Sequence, residues 1–569
     1  MVRKAFHSIK DLLSREQNEI LSAAAVLVAI GLVTKVVGML FMSMVARQFG
    51  TNDDIESFNL ASVIPETITN IILLGAISGS IIPIFSKVNR DEDNKDFVKS
   101  FSNVMNVVMI FFIALALLAI IFSRQLIPLA VTLSNTKSEI VLSNAVSMMR
   151  IMLVSQVILG ISAFLSTWLN IKQRFIIPQL APLFYNLGKI AGISIFVPLM
   201  GGSIMGLVWG SLLGALLHLL IQLPLLRHLH FSWDIFHINR KDQNLKDAIR
   251  LGLPRTLSLG IEQAAVIVDK LIALSYTSLT VYSYAVSLIA FPLSLGTSFA
   301  IASFPSFSKL RAMGKGEEFS KLFLRIINEV IYLTLPLAVI LVVLRVPVVR
   351  LVYGIFGGEF SWEDTLRVAW VVMFFALGVM FESLRAIIFR VYFSLKDTLT
   401  PFISSMFVLT GGIFSGILLS NYFSHFEHFR LTEIVFDWSY FVTRGDGQYG
   451  AIGLALSSSI IFSLEFFVLF FILWRKKVVI GVRRFIKKLV IKFLIALVML
   501  AVCYVLAKLW EEILNTAKTV QLIILTITTS FASFTVYLLL SYIFSVEEVK
   551  IFLKLLNKIL KLFKIVIKD

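Results

Sequence analysis

Apolar runs long enough to cross a hydrocarbon core of about 30 Å recur along the whole chain, separated by short polar links. They predict fourteen spans, near residues 21–46, 58–85, 103–122, 141–168, 178–198, 204–225, 253–275, 281–305, 326–347, 368–393, 399–421, 450–473, 489–509 and 520–544. None has the two-residue alternation of a barrel strand, and in lipid every backbone N–H and C=O must be satisfied within its own segment. The expected fold class is therefore an all-α polytopic membrane protein.

An even number of spans places both termini on one side. That side collects Arg3 and Lys4, the link from Lys87 to Lys99, Lys172 with Arg174, the group from Arg240 to Arg255, Lys309 with Arg311, Arg390 with Lys396, and the run from Arg475 to Lys488. The opposite side keeps few bases, among them Arg47, Arg124, Arg345 and Arg350, and the loops 198–204 and 276–280 have none. Basic loops stay cytoplasmic, so both termini are expected in the cytoplasm.

The pattern also repeats. Pro83-Ile84-Phe85-Ser86-Lys87 closes one apolar stretch, and Pro305-Ser306-Phe307-Ser308-Lys309 closes another about 220 residues later. The polar link ending at Pro178 has a counterpart ending at Pro401, and Met205-Gly206-Leu207-Val208 is echoed by Ile452-Gly453-Leu454-Ala455. Six spans per copy restore the starting side, so the copies run parallel about an axis along the membrane normal. The expected organisation is a tail to residue 20, an N-lobe over 21–230, a C-lobe over 231–474, two further spans over 475–544, and a basic amphipathic tail over 545–569. Two similar bundles point to a transporter with its substrate between them.

Composition agrees with a lipid solvent. Of 569 residues 58% are hydrophobic and 15% charged, with a mean hydropathy of +0.88; a soluble domain carries about 25% charged residues. The net charge of +17 lies in links along one face, where it complements anionic headgroups rather than nucleic acid. Lys550, Lys554, Lys558, Lys561 and Lys564 recur at helical spacing among apolar residues, as in a helix lying on the inner leaflet. The first twenty residues are basic and mixed, and the apolar run behind them contains Lys35, so they read as the approach to a first span rather than a cleaved signal. Cys503 is the sole cysteine, which excludes an internal disulfide. The seven histidines lack metal-ligand spacing, and there is no Gly-x-x-x-x-Gly-Lys phosphate loop. The expectation is no enzyme and no nucleotide drive.

Charges within spans are costly unless paired or hydrated, which makes each a candidate. Lys35, mid-span, is either a snorkelling or paired residue or an anion anchor in a wet cavity. Glu262 and Asp269 are seven apart on span 7, hence on one face; they suit a cation or proton, or Asp269 serves a salt bridge with Lys270 or a neighbouring helix. Glu382 and Arg385, three apart, are expected to pair. Glu66 and Lys189 receive no assignment, Arg150 is expected at the interface, and Glu465 has no partner on this reading.

Four stretches in order carry a family resemblance. They are Thr34-Lys35-Val36-Val37-Gly38 with Val45 to Gly50; Leu169-Asn170 to Arg174-Phe175 with Pro178 and Ala181-Pro182; Ser283-Tyr284-Ala285 with Phe291-Pro292 and Pro305 to Lys309; and Tyr392-Phe393-Ser394 with Lys396-Asp397-Thr398 and Thr400-Pro401. The chain resembles the MurJ (MviN) lipid II flippase family, within the multidrug/oligosaccharidyl-lipid/polysaccharide exporter superfamily. That resemblance implies two lobes around a cationic cavity in the bacterial inner membrane. It implies movement of the undecaprenyl-pyrophosphate-linked peptidoglycan precursor to the outer leaflet for cell-wall synthesis, by alternating access driven by membrane potential or Na+. Cell-wall synthesis proteins are implied partners, and no cofactor beyond the ion is expected.

By the same resemblance Lys35 stands at a functional cation of span 1, Asp269 at an acidic sodium ligand, and Glu56 at the aspartate that opens span 2. Arg174, Pro178, Pro182, Asp397 and Pro401 are the motif positions of the two repeated links, expected to act in gating. The chain departs where the family has a cavity arginine, reading Ala285-Val286-Ser287, and at Phe41, Thr69 and Leu74; the span 11 sodium-site positions fall near Gly411, Gly412 and Ser415. Lys35 with Lys270 or Arg385 must then hold the phosphate, or the cargo is another polyprenyl-linked oligosaccharide or amphiphile. A membrane-embedded transferase and a non-transporting scaffold are the readings from other classes.

Overall fold

A computed structural model of the chain describes residues 20–74, 81–85, 95–131, 139–229, 231–276, 278–424 and 449–550. The basic tail from 551, most of the loop 421–449 and the first nineteen residues lie outside them. The long helices are α1 (Ile20–Phe49), α2 (Asp53–Thr69), α3 (Lys95–Ile121), α4 (Glu139–Ile171), α5 (Ile176–Ala191), α6 (Met205–Leu220) and α7 (Gln243–Tyr276). They continue with α8 (Leu279–Ala312), α9 (Gly316–Val343), α10 (Trp362–Ser394), α11 (Leu399–Ser424), α12 (Gly450–Arg475), α13 (Val482–Ile513) and α14 (Thr519–Ile543). No strand occurs among the described residues.

Twelve helices there are long and apolar enough to cross a membrane, so the expected fourteen is not reached by this measure. The two expected spans outside the set are the second and the seventh. The second is broken, because α2 passes into a π turn at Asn70–Leu74 and residues 75–80 are outside the described set. The seventh is a continuous helix of 34 residues, α7. Its charges, Glu262, Asp269 and Lys270 among them, lower its apolarity.

Packing divides the chain into two units: residues 1–280 with 352–361, and residues 281–351 with 362–569. In the first, α7 belongs with α1–α6, and the segment 352–361 docks on the end of α1, where Glu359 N donates to Arg47 O at 2.9 Å. Phe85, Phe97, Phe101 and Trp168 form its aromatic core, with edge contacts at 4.9–5.5 Å between ring centroids. Two buried asparagines of α3 hold the polar link before α7: Asn106 Nδ2 donates to Asp234 O at 2.7 Å, and Asn103 Nδ2 to Asn239 O at 2.9 Å.

In the second unit, α13 and α14 share one core with α9, α10 and α12, through Tyr332, Leu384, Leu469, Cys503 and Tyr537. Lys492 of α13 is 1% exposed and holds Glu548 at 2.8 Å, while donating to Asn328 Oδ1 of α9 at 2.6 Å. Buried charge of this kind persists only with a partner and a hydrogen bond.

Glycine spacing explains the closest helix pair. Gly188 and Gly192 of α5 and its continuation face Gly206, Gly210 and Gly214 of α6, each four apart on its own strand of chain. A Cβ on Gly192 would stand 2.6 Å from Gly210 Cα, so only hydrogen fits between these backbones. Gly453, the repeat partner of Gly206, meets the backbone of Leu419 and Ser420 in the same manner. Gly210→Leu is expected to lower stability by about 3 kcal/mol, read as a drop in melting temperature of the detergent-solubilised protein; an unchanged midpoint would refute the close approach.

The repeated links share a backbone as well as a spelling. Gln173 (φ 58°) and Lys396 (φ 61°) are both left-handed. Arg174 N donates to Leu169 O at 2.8 Å and Gln173 N to Asn170 O at 3.0 Å; Asp397 N donates to Tyr392 O and Lys396 N to Phe393 O, both at 3.0 Å. This is the Schellman ending of a helix, twice. Pro178 and Pro401 then occupy the third position of α5 and α11, where a backbone N–H has no intrahelical acceptor to lose. Pro182 lies one turn further along α5.

Candidate functional site

In the first unit the charged side chains gather on α1, α2, α5 and α7. Gly31, Thr34, Gly38 and Phe41 follow one face of α1 toward α5: Asn186 Nδ2 donates to Thr34 O at 3.3 Å, and Gly38 leaves room for the same side chain. Lys35 falls one residue off that face and is exposed. Phe41, where the resemblance implies a cation, is 4% exposed and lies under the ammonium of Lys189 from α5. The Nζ stands 4.3 Å from the Phe41 centroid and 5.1 Å from that of Tyr185. Among the described residues no hydrogen bond or ion pair reaches this Nζ; the two rings clamp it, with Glu66 acting on it only at longer range. The charge missing from α1 is thus supplied from α5, which sequence spacing did not reveal because Lys189 and Phe41 are 148 positions apart.

Two contacts dock α7 on α2. Lys270 Nζ meets Glu66 Oε2 at 3.1 Å, and Asn70 Nδ2 donates to Gln263 Oε1 at 3.2 Å. Gln263 and Lys270 share this face, so Glu262 and Asp269, each one residue earlier, are turned about 100° from it. Lys270 therefore pairs with Glu66 of α2. Thr69 of α2 donates to Gln156 Oε1 at 2.9 Å, a neutral contact at another position where the family resemblance implies charge.

Glu56 is placed under the start of α8 rather than beside open space. Its Oε1 accepts from Leu279 N at 2.9 Å; its Oε2 accepts from Ser278 Oγ and Thr280 N at 2.9 Å and Thr280 Oγ1 at 2.8 Å. The residue is 3% exposed. A carboxylate on the first N–H groups of a helix is both cap and dipole counter-charge.

In the second unit the expected Glu382–Arg385 pair gives way to another. Arg385 Nε lies 2.7 Å from Glu465 Oε2, without hydrogen-bond alignment, and Ser404 Oγ donates to Glu465 Oε1 at 2.6 Å. The guanidinium also lies over Phe389, 4.6 Å from its centroid. Glu465, without a partner in the sequence reading, is fully buried and completes the pair from α12. The three-residue spacing of 382 and 385 misled because the buried α12 carboxylate comes within 2.7 Å of the guanidinium. Of the sodium-site positions, Ser415 Oγ bonds Ser457 Oγ at 2.6 Å, and Gly411 and Gly412 bring no ligand side chain.

Asp397 caps α11, accepting from Thr400 N at 3.0 Å and Thr400 Oγ1 at 2.8 Å, and pairs with Lys476 Nζ at 2.9 Å. Burial pushes its carboxyl up, but the Thr400 and Lys476 donors outweigh it and hold the pKa below the usual aspartate range. Because the folded value is depressed, this stabilisation is complete above the unfolded pKa of about 3.9 and is lost as pH falls through the folded value. Wild type is expected to lose about 1 kcal/mol relative to Asp397→Asn on acidification below pH 4, read by thermal melting across pH 3–6; parallel curves would exclude the cap. Arg174, its counterpart in the repeat, is half-buried in the first unit.

A family model described as "Lipid II flippase MurJ" matches residues 45–525. A probable lipid II flippase MurJ of Buchnera aphidicola subsp. Acyrthosiphon pisum is 26% identical over 404 residues, covering 69% of this chain and 77% of the relative. The lipid II flippase MurJ of Burkholderia cenocepacia is 24% identical over 377 residues, covering 65% and 72%. Among solved structures, a lipid II flippase MurJ in an inward closed conformation superposes with a TM-score of 0.68 at 23% identity, covering 91% of this chain and 98% of that one. An inward-facing multidrug resistance MATE family transporter gives 0.61 at 14% identity, covering 80% and 98%.

Proposed function

The chain belongs to the MurJ family of lipid II flippases, and from that premise we propose that it carries the undecaprenyl-pyrophosphate-linked peptidoglycan precursor from the inner to the outer leaflet of the bacterial cytoplasmic membrane. The observation that supports this most is Lys189: an ammonium inside the first unit, clamped by two rings and bonded by no anion of the described chain. A diphosphate leaving water needs cations that are already desolvated and positioned. Lys189 fills that need; Lys35, exposed on α1, adds the cation that the family resemblance implies, and Lys270 pairs with Glu66 and Arg385 with Glu465. Glu56 acts at one remove, by holding the first turn of α8.

Transport then runs by alternating access, with both termini in the cytoplasm as the basic links require. Membrane potential drives it, or Na+ at Asp269 with Glu262; sodium-dependent stabilisation that survives Asp269→Asn would remove the ion site. Cell-wall synthesis proteins are the natural consumers of the product.

Depleting the resident flippase of a bacterium and supplying this gene tests the reading. Wild type is expected to restore growth and outer-leaflet lipid II labelling. Lys189→Gln and Lys35→Ala are each expected to reduce labelling by about tenfold, the loss of one charge-assisted phosphate contact, with Lys189→Arg close to wild type. Failure of the wild type would favour another polyprenyl-linked cargo; rescue undiminished in both variants would dismiss the two lysines while leaving the flippase reading intact.

A further inference from the structure

A cavity of about 510 Å³ lies in the second unit between the last turn of α9, the first turns of α10 and the last turns of α13. It is within the range of about 300–1,000 Å³ that small-molecule sites occupy. All three helix ends belong to spans, so the cavity sits where hydrocarbon gives way to headgroups. Its walls divide by chemistry. Val346, Met373 and Leu500 line an apolar part, while Arg345, Lys508, Glu511 and Tyr504 stand with Trp362 and Trp370 around the remainder. Indole and phenol rings at this depth are the usual furniture of a membrane interface.

Arg345 is the unbalanced member. Lys508 and Glu511 hold each other at 3.1 Å, and Glu511 also faces Arg345 electrostatically, so the three groups together keep one net positive charge. It lies over Trp370 with its carbon 4.2 Å from the ring centroid, and one η nitrogen donates to Val342 O at 2.9 Å. Its Nε–H is buried and donates to nothing. A stacked guanidinium has few orientations left, so Arg345 stands in the cavity wall as a cation positioned in advance for an anionic oxygen.

We propose that this cavity holds one anionic glycerophospholipid of the surrounding leaflet, with an acyl chain along the apolar wall and its phosphodiester on Arg345. The single uncompensated positive charge matches a phosphodiester monoanion better than a diphosphate. The bound lipid braces α13 against α9 and α10, and the site shares no residue with the charged groups assigned to transport. It depends only on the chain spanning a membrane, so its fate is independent of the cargo.

The full-length protein, delipidated and titrated by native mass spectrometry and thermal melting, provides the test. Dioleoyl phosphatidylglycerol is expected to bind one per chain, about tenfold tighter than dioleoyl phosphatidylcholine, and to raise the melting temperature. Arg345→Gln is expected to abolish that preference, about a tenfold loss for the anionic lipid with the zwitterionic lipid unchanged. Leu500→Trp, which fills the apolar part and leaves Arg345 in place, is expected to lose binding of both. Equal wild-type affinity for the two lipids would overturn the proposal without any variant. So would undiminished preference in Arg345→Gln, equal protection by inorganic phosphate, or tighter binding of undecaprenyl phosphate than of phosphatidylglycerol.

Discussion

Glu56→Ala is expected to destabilise the protein by about 3 kcal/mol, among the largest single-residue effects in the first unit. Four donors converge on this carboxylate: two backbone N–H groups at the first turn of α8 and two hydroxyls. Alanine takes the carboxylate from the N–H groups of Leu279 and Thr280, leaving Thr280 N the longer bond to Ser278 Oγ at 3.2 Å, and removes the negative charge from the helix N-terminus. Glu56→Gln keeps one acceptor but turns an NH₂ toward the remaining donors, so about half the loss is expected. Reversible unfolding in mixed detergent micelles would measure both. An alanine variant within about 0.5 kcal/mol of wild type, the usual range for surface changes, would show that the cap contributes little.

Glu465→Ala is expected to cost about 3 kcal/mol, because it removes the buried carboxylate closest to Arg385 and leaves only Glu382, one turn away, to act on the guanidinium. Arg385 stacks on Phe389 and faces Phe462, neither of which replaces a carboxylate, and Ser404 loses its acceptor too. The double variant Arg385→Met with Glu465→Leu is expected to recover most of that loss, since removing both charges removes the desolvation penalty along with the attraction. Single and double variants of equal stability would mean that the pair is hydrated rather than buried.

Much of the architecture was readable from the order of residues. Apolar runs of span length leave the backbone no option but helix in lipid, so the spans followed from length alone. The Pro178 and Pro401 links betrayed the repeat because a polar helix ending followed by a proline in the first turn of the next helix is a local pattern, and both links form it. Local rules of this kind act over five or six residues, and a single sequence contains them. Span 7 was read from its apolar run over 253–275, although the charges within it keep α7 below the apolarity of a span.

Partnerships were another matter. Glu382 and Arg385 are adjacent on one helix, yet the guanidinium chose Glu465 from α12; Lys270 chose Glu66 over its neighbour Asp269; Lys189 found Phe41. A side chain's partner depends on which helix faces stack, at what depth and how closely, and that is decided by contacts such as the Gly192–Gly210 approach, 18 positions apart, or Glu56–Thr280, 224 apart. The order of residues determined a membrane-spanning helical repeat, its charges and the family it resembles. Only the folded chain determined which of those charges neutralise one another and which remain to meet a ligand, because electrostatic pairing is a property of distance in space and the sequence records distance along the chain.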